Sequence, residues 1–467
     1  MKKEISELFK KTFGEEIEII EKVSATGSNR QYFRLVSENH HCIGTYNPDF
    51  KENRAFISYA KQFMEHNVNV PQIYAEDLAN NVYLQQDLGD ENLFDFLQSH
   101  TLQNILPYFT RVMESIAKIQ AIQDFDYTEA YPTQVFDRQS MLWDCNYFKY
   151  YFLKFFDIQF DERLLENDFN TFIDYLLSCN CNYFVHRDFI PRNIMLFNDE
   201  LYFIDFQGGR KGSLYYDIAS FLFNSKTNLD KFTREYLFDI YLSAISKYTQ
   251  INVKESTDYF YAYVYMRLIQ NMGAYGFRGI YEKKKAFVRS IPFALKNLQF
   301  LIENIPLKIT VPHLMSCFLQ VVNNKKITDV VKENKLTVTI KSFSYKRGYP
   351  YDATGNGGGF VFDCRALPNP GREEKFRQMT GLDEEVQQYL ERYEEVEEFF
   401  SNAMNLIRQN IDNYLKRDFS NLSIYFGCTG GRHRSVYFAQ RCAEELLQNI
   451  DLNIFIEHTE QNIQKKL

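Results

Sequence analysis

Short stretches in which apolar and polar residues alternate dominate the first 90 residues, together with one longer stretch of helical periodicity. A period of two predicts strands, and a period of 3.6 predicts an amphipathic helix. The predicted order is therefore strand, turn, strand, strand, helix, strand. The predicted strands are 16–23, 31–36, 41–46 and 82–86, and the predicted helix is 52–66.

Residues 91–330 have mostly helical periodicity, interrupted by two short apolar runs at 183–186 and 201–205. These runs predict two short strands on either side of a polar loop. Prolines, asparagines and lysines between 306 and 334 indicate a boundary. The predicted domains are thus 1–90, 91–330 and 331–467.

The last predicted domain alternates strands and helices, which is typical of an α/β fold. A glycine-rich loop is expected at 355–359. The predicted strands are 336–343, 360–363, 423–427 and a closing strand at 454–457, and the predicted helices are two acidic ones within 382–415 and another at 435–449.

Composition narrows the functional classes. The chain has 467 residues, 45% hydrophobic and 24% charged, which indicates a globular protein of more than one domain. A net charge of -8 gives no general attraction to nucleic acid or anionic membrane. Neither a signal-peptide core nor a membrane-spanning apolar run is found. Eight cysteines without framework spacing favour free thiols in a cytoplasmic protein.

The polar loop between the two short strands carries the strongest chemical pattern. His186 and Asp188 are followed by Asn193, and Asp205 lies twelve residues further on. Phosphoryl transfer requires a carboxylate at the attacking hydroxyl and oxygen ligands for Mg²⁺. We expect Asp188 to accept the proton of the substrate hydroxyl, and Asn193 and Asp205 to hold Mg²⁺ against the phosphates of ATP.

The turn between the first two strands is a candidate for covering those phosphates. Its small residues would let backbone N–H groups approach an anion, although an ordinary hairpin turn would have a similar composition. The residues of this turn that we assign to cofactor binding are Ser28, Asn29 and Arg30.

The runs 185–195 and 204–207, with Asp87-Leu88-Gly89-Asp90 and Tyr216-Asp217, resemble the aminoglycoside/choline phosphotransferase superfamily over about residues 1–305. They are most similar to its anomeric kinases for N-acetylmuramate and N-acetylglucosamine. The resemblance implies an α+β, protein-kinase-like bilobal domain followed by the smaller α/β domain.

The same resemblance assigns further roles. His186 and Arg192 join Asp188 in the catalytic group, Gln86 and Asp87 form the hinge that binds adenine, and Asp217 supports the loop. The third strand lacks the lysine that kinases usually carry there. The candidate replacements are Arg30, Arg34 and Lys51.

A second candidate site lies in the last domain, where a predicted strand is followed by a tight glycine loop and the start of a helix. Exposed N–H groups, a helix N-terminus and two arginines there would bind an anion. The assigned residues are Thr429, Gly430, Gly431, Arg432, His433, Arg434 and Ser435.

The spacing from Cys428 to Arg434 also fits the C-x5-R pattern of cysteine-based phosphatases, with Asp363 as a candidate general acid. However, residues 336–460 resemble the C-terminal domain of the RNase adapter RapZ family. That resemblance implies binding of a phosphorylated amino sugar and of a small RNA. Residues 331–467 contain 18 basic and 20 acidic residues, which argues against an RNA-binding face.

Three interpretations follow. The first is an ATP-dependent amino-sugar kinase of cell-wall sugar recycling, whose last domain binds a phosphorylated amino sugar. The second is a kinase for choline, an aminoglycoside or another small alcohol. The third is an adapter or RNA-binding regulator with a degenerate kinase fold.

Overall fold

The computed structural model describes residues 1–23, 30–351, 358–417, 419–449 and 452–467. Within these ranges the chain divides into two compact units. One unit is Met1–Gly273 with Phe293–Asn323, and the other is Ala274–Pro292 with Asn324–Leu467. The domain limits drawn from the sequence stay predictions. In the described ranges, no helix is both long enough and apolar enough to cross a membrane.

The first unit opens with a helix packed on an antiparallel sheet. Alternation along the strands places Phe33 and Leu35 on the face that meets Ile5 and Phe9 of the helix, forming a small apolar core. The strand order is β1-β2-β3-β5-β4. The elements are α1 (Lys2–Phe13), β1 (Ile19–Val23), β2 (Gln31–Val36), β3 (His41–Tyr46), α2 (Phe50–Glu65), β4 (Ile73–Asp77) and β5 (Val82–Gln85).

The rest of this unit is mostly helical, with two short antiparallel pairs of strands. They lie at residues 183–207 and 210–212, where the sequence predicts the catalytic loop (183–207). Strand β6 (Tyr183–Val185) pairs with β9 (Arg210–Gly212), and β7 (Ile194–Phe197) pairs with β8 (Glu200–Phe203). The helices are α3 (Leu93–Ser99), α4 (Leu102–Gln120), α5 (Arg138–Phe148), α6 (Glu162–Leu177), α7 (Tyr215–Leu222), α8 (Lys231–Ile245), α9 (Val253–Ala274), α11 (Ile291–Asn304) and α12 (Pro312–Val322).

The second unit is an α/β domain whose sheet has the order β11-β12-β10-β13-β14. All its pairings are parallel except that of β13 with β14. The elements are α10 (Lys285–Val288), α13 (Lys325–Glu333), β10 (Leu336–Ser344), β11 (Gly359–Asp363), α14 (Glu384–Leu390), α15 (Glu394–Lys416), β12 (Asn421–Cys428), α16 (Arg434–Leu446), β13 (Leu452–His458) and β14 (Ile463–Lys466).

The bilobal kinase-like first part and the α/β second part agree with the predicted fold classes. The prediction that 454–457 is the closing strand was wrong, because β14 follows it and pairs antiparallel at the sheet edge. The three last residues of β14 are exposed and polar, so this strand carries no hydrophobic alternation. Residues 352–357, which include the first three residues of the predicted glycine loop at 355–359, lie outside the described residues.

Candidate active site and candidate anion site

One buried carboxylate, that of Asp217, binds the backbone of the predicted catalytic loop. Asp217, at the start of α7, has no exposed surface and accepts the backbone N–H groups of His186 at 2.6 Å and Arg187 at 3.1 Å. Arg187 has φ of 76°, a left-handed conformation that these two bonds stabilise. Burial raises the pKa of Asp217, while the charge of His186 and the two N–H bonds oppose the rise. Asp217 therefore fixes the backbone from which Asp188 projects.

The Asp188 carboxylate is half exposed and has two neighbours that orient it. Arg267 of α9 donates from Nη2 to Asp188 Oδ1 at 2.9 Å, and Asn193 Nδ2 lies 3.4 Å from Asp188 Oδ2. Asn193 Nδ2 also donates to the Asp188 carbonyl at 2.9 Å. Arg267 was not among the residues predicted from the sequence. A charged residue inside the apolar run Val264 to Leu268 was the available signal.

Asp205 lies in the turn after β8 with a left-handed backbone, φ 63°. Its neighbour Phe206 is buried and stacks on Phe56 of α2 at 4.8 Å between ring centroids. Asn193 Nδ2 is 3.4 Å from Asp205 Oδ2, so the predicted pair of metal ligands is brought together. His186 Nε2 contacts the Ile204 carbonyl at 3.0 Å, which ties the catalytic loop to the same turn.

Arg30 connects this turn to α2. Its guanidinium is nearly buried and forms ion pairs with Glu52 at 2.9 Å and with Asp205 at 3.1 Å. Neighbouring Tyr32, Tyr83 and Asp205 raise the pKa of Arg30 against the opposing effect of its burial. Of the three cations considered as replacements for the missing lysine, Arg30 contacts both a glutamate of α2 and Asp205, whereas Arg34 pairs with Asp87 and Asp90.

The donor set fits Mg²⁺, which prefers carboxylate and amide oxygens. Asn193 uses its amide nitrogen for Asp188, which leaves its oxygen available to a metal beside Asp205. Gln207 donates from Nε2 to Asp205 Oδ1 at 2.8 Å, and its own buried Oε1 has no partner among the described residues. The Asp205 carboxylate and the Asn193 amide oxygen are therefore the groups that could hold a cation.

The other predicted kinase residues have different surroundings. Asp87 is buried and pairs with Arg34 through two bonds of 2.6 and 3.1 Å, so both of its oxygens are engaged by protein. Gln86 exchanges bonds with Gln72 through its backbone N–H and its side-chain oxygen. Arg192 is exposed, with its guanidinium 5.7 Å from the Phe94 ring. Ser28 and Asn29 lie outside the described residues.

Asp144 of α5 forms an ion pair with Arg187 of the catalytic loop. Arg187 Nη2 donates to Asp144 Oδ2 at 3.2 Å. The Arg187 guanidinium also covers the Phe136 ring at 4.0 Å. This ion pair joins α5 to the loop.

In the second unit, the glycine loop follows β12 at the carboxyl edge of the parallel sheet, where ligands bind in open α/β sheets. Ser344, at the end of β10, donates to the Thr429 carbonyl at 2.9 Å. Gly431 has φ 64°, and a Cβ there would lie 2.8 Å from the Ser344 nitrogen. A Cβ on Gly430 would meet nothing within 4 Å. The loop is therefore packed on one side and open at Gly430.

Three predicted anion-binding side chains are engaged by backbone carbonyls. The buried Arg434 donates from Nη1 to the carbonyls of Arg365 and Leu367, both at 2.8 Å. His433 Nε2 lies 2.8 Å from the Phe376 carbonyl, and its burial lowers the pKa of the ring. Arg432 is exposed and donates from Nη2 to the Gln378 carbonyl at 2.9 Å. Arg434 Nη1 thus binds the segment after β11 and does not point into the glycine loop.

Cys428 lies at the base of this loop with its sulfur 3.1 Å from Ser435 Oγ. Burial opposes ionisation, yet hydrogen bonds from Ser435 and Arg432 and the charge of Arg434 lower the pKa of the thiol. In a cysteine phosphatase the arginine of the pattern would have to bind the phosphate. Arg434 donates instead to two carbonyls, and Asp363 pairs with Arg365, which disfavours that alternative.

Comparisons with known proteins assign both parts of the chain. Residues 19–251 match the phosphotransferase enzyme family APH, and residues 336–462 match the RapZ C-terminal domain. Both resemblances drawn from the sequence are thereby confirmed, and with them a phosphotransferase-type first domain.

Among curated relatives, a nucleotide-binding protein of Staphylococcus haemolyticus is 41% identical over 128 residues, which is 27% of this chain and 40% of that protein. The RNase adapter protein RapZ of Hamiltonella defensa is 42% identical over 113 residues, 24% of this chain and 38% of that protein. The chain thus spans about two fifths of the length of the curated relatives it matches.

Among solved structures, an ADP-bound aminoglycoside phosphotransferase is 12% identical with a TM-score of 0.40, covering 57% of this chain and 99% of its own. A choline kinase of Cryptosporidium parvum is 13% identical with a TM-score of 0.45, covering 65% of this chain and 93% of its own.

Proposed function

We propose that this chain, which joins a phosphotransferase-family domain to a RapZ C-terminal domain, transfers the γ-phosphoryl group of ATP to a hydroxyl group of a small molecule. The observation that carries the proposal is that the Asn193 amide nitrogen lies 3.4 Å from a carboxylate oxygen of Asp188 and 3.4 Å from one of Asp205. A carboxylate base beside a pair of oxygen ligands is what phosphoryl transfer requires.

In this proposal Asp188 binds the acceptor hydroxyl and takes its proton as the oxygen attacks phosphorus. Arg267 positions Asp188 by binding Oδ1 of its carboxylate, and Oδ2, which has only the long 3.4 Å contact with Asn193, is the oxygen proposed to accept the hydroxyl proton. Asn193 and Asp205 would hold Mg²⁺, whose charge offsets the negative charge of the ATP phosphates.

Arg30 replaces the lysine that kinases usually carry on the third strand and that this chain lacks. It is paired with Glu52, which fixes its guanidinium, and it reaches Asp205, beside which the phosphates would lie. A guanidinium can bind two oxygens at once and keeps its charge when buried. We infer that Arg30 exchanges part of its contact with Asp205 for a phosphate oxygen when the nucleotide binds.

The acceptor is proposed to be an amino sugar, phosphorylated at the anomeric hydroxyl during cell-wall sugar recycling. Support comes from the motif resemblance described above and from the attached RapZ C-terminal domain. The open glycine loop of that domain is proposed to bind the phosphate of a phosphorylated amino sugar through the N–H groups near Gly430.

An acceptor screen tests the first part. Purified protein is incubated with ATP, MgCl₂ and one of four acceptors: N-acetylmuramate, N-acetylglucosamine, choline or an aminoglycoside. We expect ADP release to depend on an amino sugar, and product analysis to place phosphate on the anomeric oxygen. Turnover of choline or an aminoglycoside alone would refute the sugar assignment while leaving the kinase intact.

Two glycine variants test the second part by calorimetry with glucosamine-6-phosphate. Gly430→Ala adds a methyl group into open space, so it should preserve the fold and weaken binding about tenfold or more by blocking close approach. Gly431→Ala adds one against the Ser344 backbone at a positive φ, so it should lower stability as well. Unchanged affinity in a folded Gly430→Ala protein would contradict the assignment.

A further inference from the structure

The turn between α6 and β6 holds two thiols that the proposed chemistry does not use. Cys179 Sγ lies 3.9 Å from Cys181 Sγ and 3.3 Å from Ser213 Oγ. The Tyr263 hydroxyl lies 4.0 Å from one sulfur and 3.9 Å from the other. Both cysteines are half-buried, whereas the other six free cysteines of the chain are buried. A reagent in solution can therefore reach this pair more readily than any other thiol.

The two thiols are chemically unequal. The hydrogen bond from Cys181 lowers the pKa of Cys179, helped by Ser213 and opposed by burial. The same hydrogen bond, together with burial, raises the pKa of Cys181. A thiolate is the nucleophilic form of cysteine, and a neighbouring protonated thiol can then resolve its oxidised product. Geometry and acidity together thus divide the pair into an attacking and a resolving sulfur.

We infer that Cys179 and Cys181 form a peroxide-sensitive modification site that closes reversibly to a disulfide. The Cys179 thiolate attacks one oxygen of hydrogen peroxide, the O–O bond breaks, and the departing hydroxide takes a proton to become water. Cys181 then attacks the sulfur of the resulting sulfenic acid. An S–S bond forms, the S–O bond breaks, and the thiol proton leaves with the oxygen as a second water. Each sulfur is oxidised by one electron, and peroxide is reduced by two.

The site adjoins the elements that place the catalytic loop. Strand β6 runs directly from this turn to His186, and Tyr263 lies one helical turn before Arg267 on α9. Tyr263 also donates to the Leu176 carbonyl at 3.0 Å. Disulfide formation draws the two sulfurs together and changes their contacts with Tyr263. Because Tyr263 and Arg267 lie on the same helix, α9, this change would also shift the contact between Arg267 and Asp188. This second part of the inference rests on the proposed kinase function.

The modification is tested on the full-length protein without any activity assay. Reduced protein is treated with a small excess of hydrogen peroxide, denatured, and titrated for free thiols. We expect two thiols to disappear per chain, a mass loss of about 2 Da in the peptide that contains both cysteines, and full recovery with dithiothreitol. Cys181→Ser should instead give a dimedone-trapped sulfenic acid at Cys179.

Cys317→Ser, at a buried cysteine of α12, is the matched control and should oxidise as the unchanged protein does. Equal thiol loss in Cys179→Ser, or a sulfinic acid product without a disulfide, would overturn the site. Acceptor-dependent ADP release is measured on the same oxidised samples. It should fall several-fold and return with dithiothreitol, but stay unchanged in Cys181→Ser. Full turnover by the disulfide form would overturn the coupling to catalysis, whereas no turnover in the reduced protein would refute the proposed function alone.

Discussion

Replacing Asp217 by asparagine should cost stability well beyond the loss of one surface charge. The carboxylate is fully buried and accepts two backbone N–H groups, at 2.6 Å from His186 and 3.1 Å from Arg187. The asparagine oxygen will satisfy the shorter bond, and its amide group will then face the Arg187 N–H. A buried donor left without an acceptor costs about 1–3 kcal/mol, and loss of charge assistance in the remaining bond adds about 1 kcal/mol. We expect a decrease in unfolding free energy of about 2–4 kcal/mol.

Urea unfolding followed by tryptophan fluorescence measures this change in the first unit alone, because Trp143, the single tryptophan of the chain, lies on α5. Asp230→Asn is the matched control. Asp230 caps α8 by accepting the Thr233 N–H at 3.0 Å, and asparagine caps helices about as well as aspartate. If Asp217→Asn changes the unfolding free energy as little as Asp230→Asn, the structural role of Asp217 is refuted.

Two further predictions concern charge. Arg30→Met should weaken ATP binding about tenfold or more in calorimetry, whereas Arg30→Lys should keep part of the affinity. Lysine preserves the charge but not the forked guanidinium that reaches both Glu52 and Asp205. Equal ATP affinities in the two variants and the unchanged protein would contradict a role of Arg30 in nucleotide binding. Burial lowers the pKa of His458 to about 4, so the unfolded chain binds a proton first as pH falls below 6.5. The second unit should then lose up to about 3 kcal/mol of stability between pH 6.5 and 4, and the His458→Gln protein should lose less over the same range. If urea unfolding of the two proteins depends on pH in the same way, His458 is not the group responsible.

The sequence predicted the active-site elements because their signals are local. The strands around the predicted catalytic loop are short apolar runs, and the roles proposed for Asp188, Asn193 and Asp205 rest on their spacing within one loop and one turn. Asp217 was also placed, through its family pattern. The contacts found only in the structure join distant segments, such as Arg267 with Asp188 and Arg30 with Glu52.

At the candidate anion site, the backbone elements could be predicted from the sequence but the side-chain contacts could not. Strand, glycine loop and helix were placed correctly, because glycine and the apolar run before it fix the local backbone. The directions of the side chains were not predictable, since they depend on the segment after β11. Arg434 was assigned to an anion because of its charge, yet the carbonyls of Arg365 and Leu367 accept its N–H groups.

Acceptor-dependent ADP release by Asp188→Asn, compared with the unchanged protein and with Asp230→Asn, tests the central claim most directly. Asparagine keeps the shape of Asp188 but cannot accept the hydroxyl proton, and it also replaces the ion pair with Arg267 by a neutral contact. We predict that Asp188→Asn lowers kcat by about 10²–10⁴ with little change in ATP affinity, and that Asp230→Asn keeps full activity. Unaltered kcat in a folded Asp188→Asn protein would contradict the account.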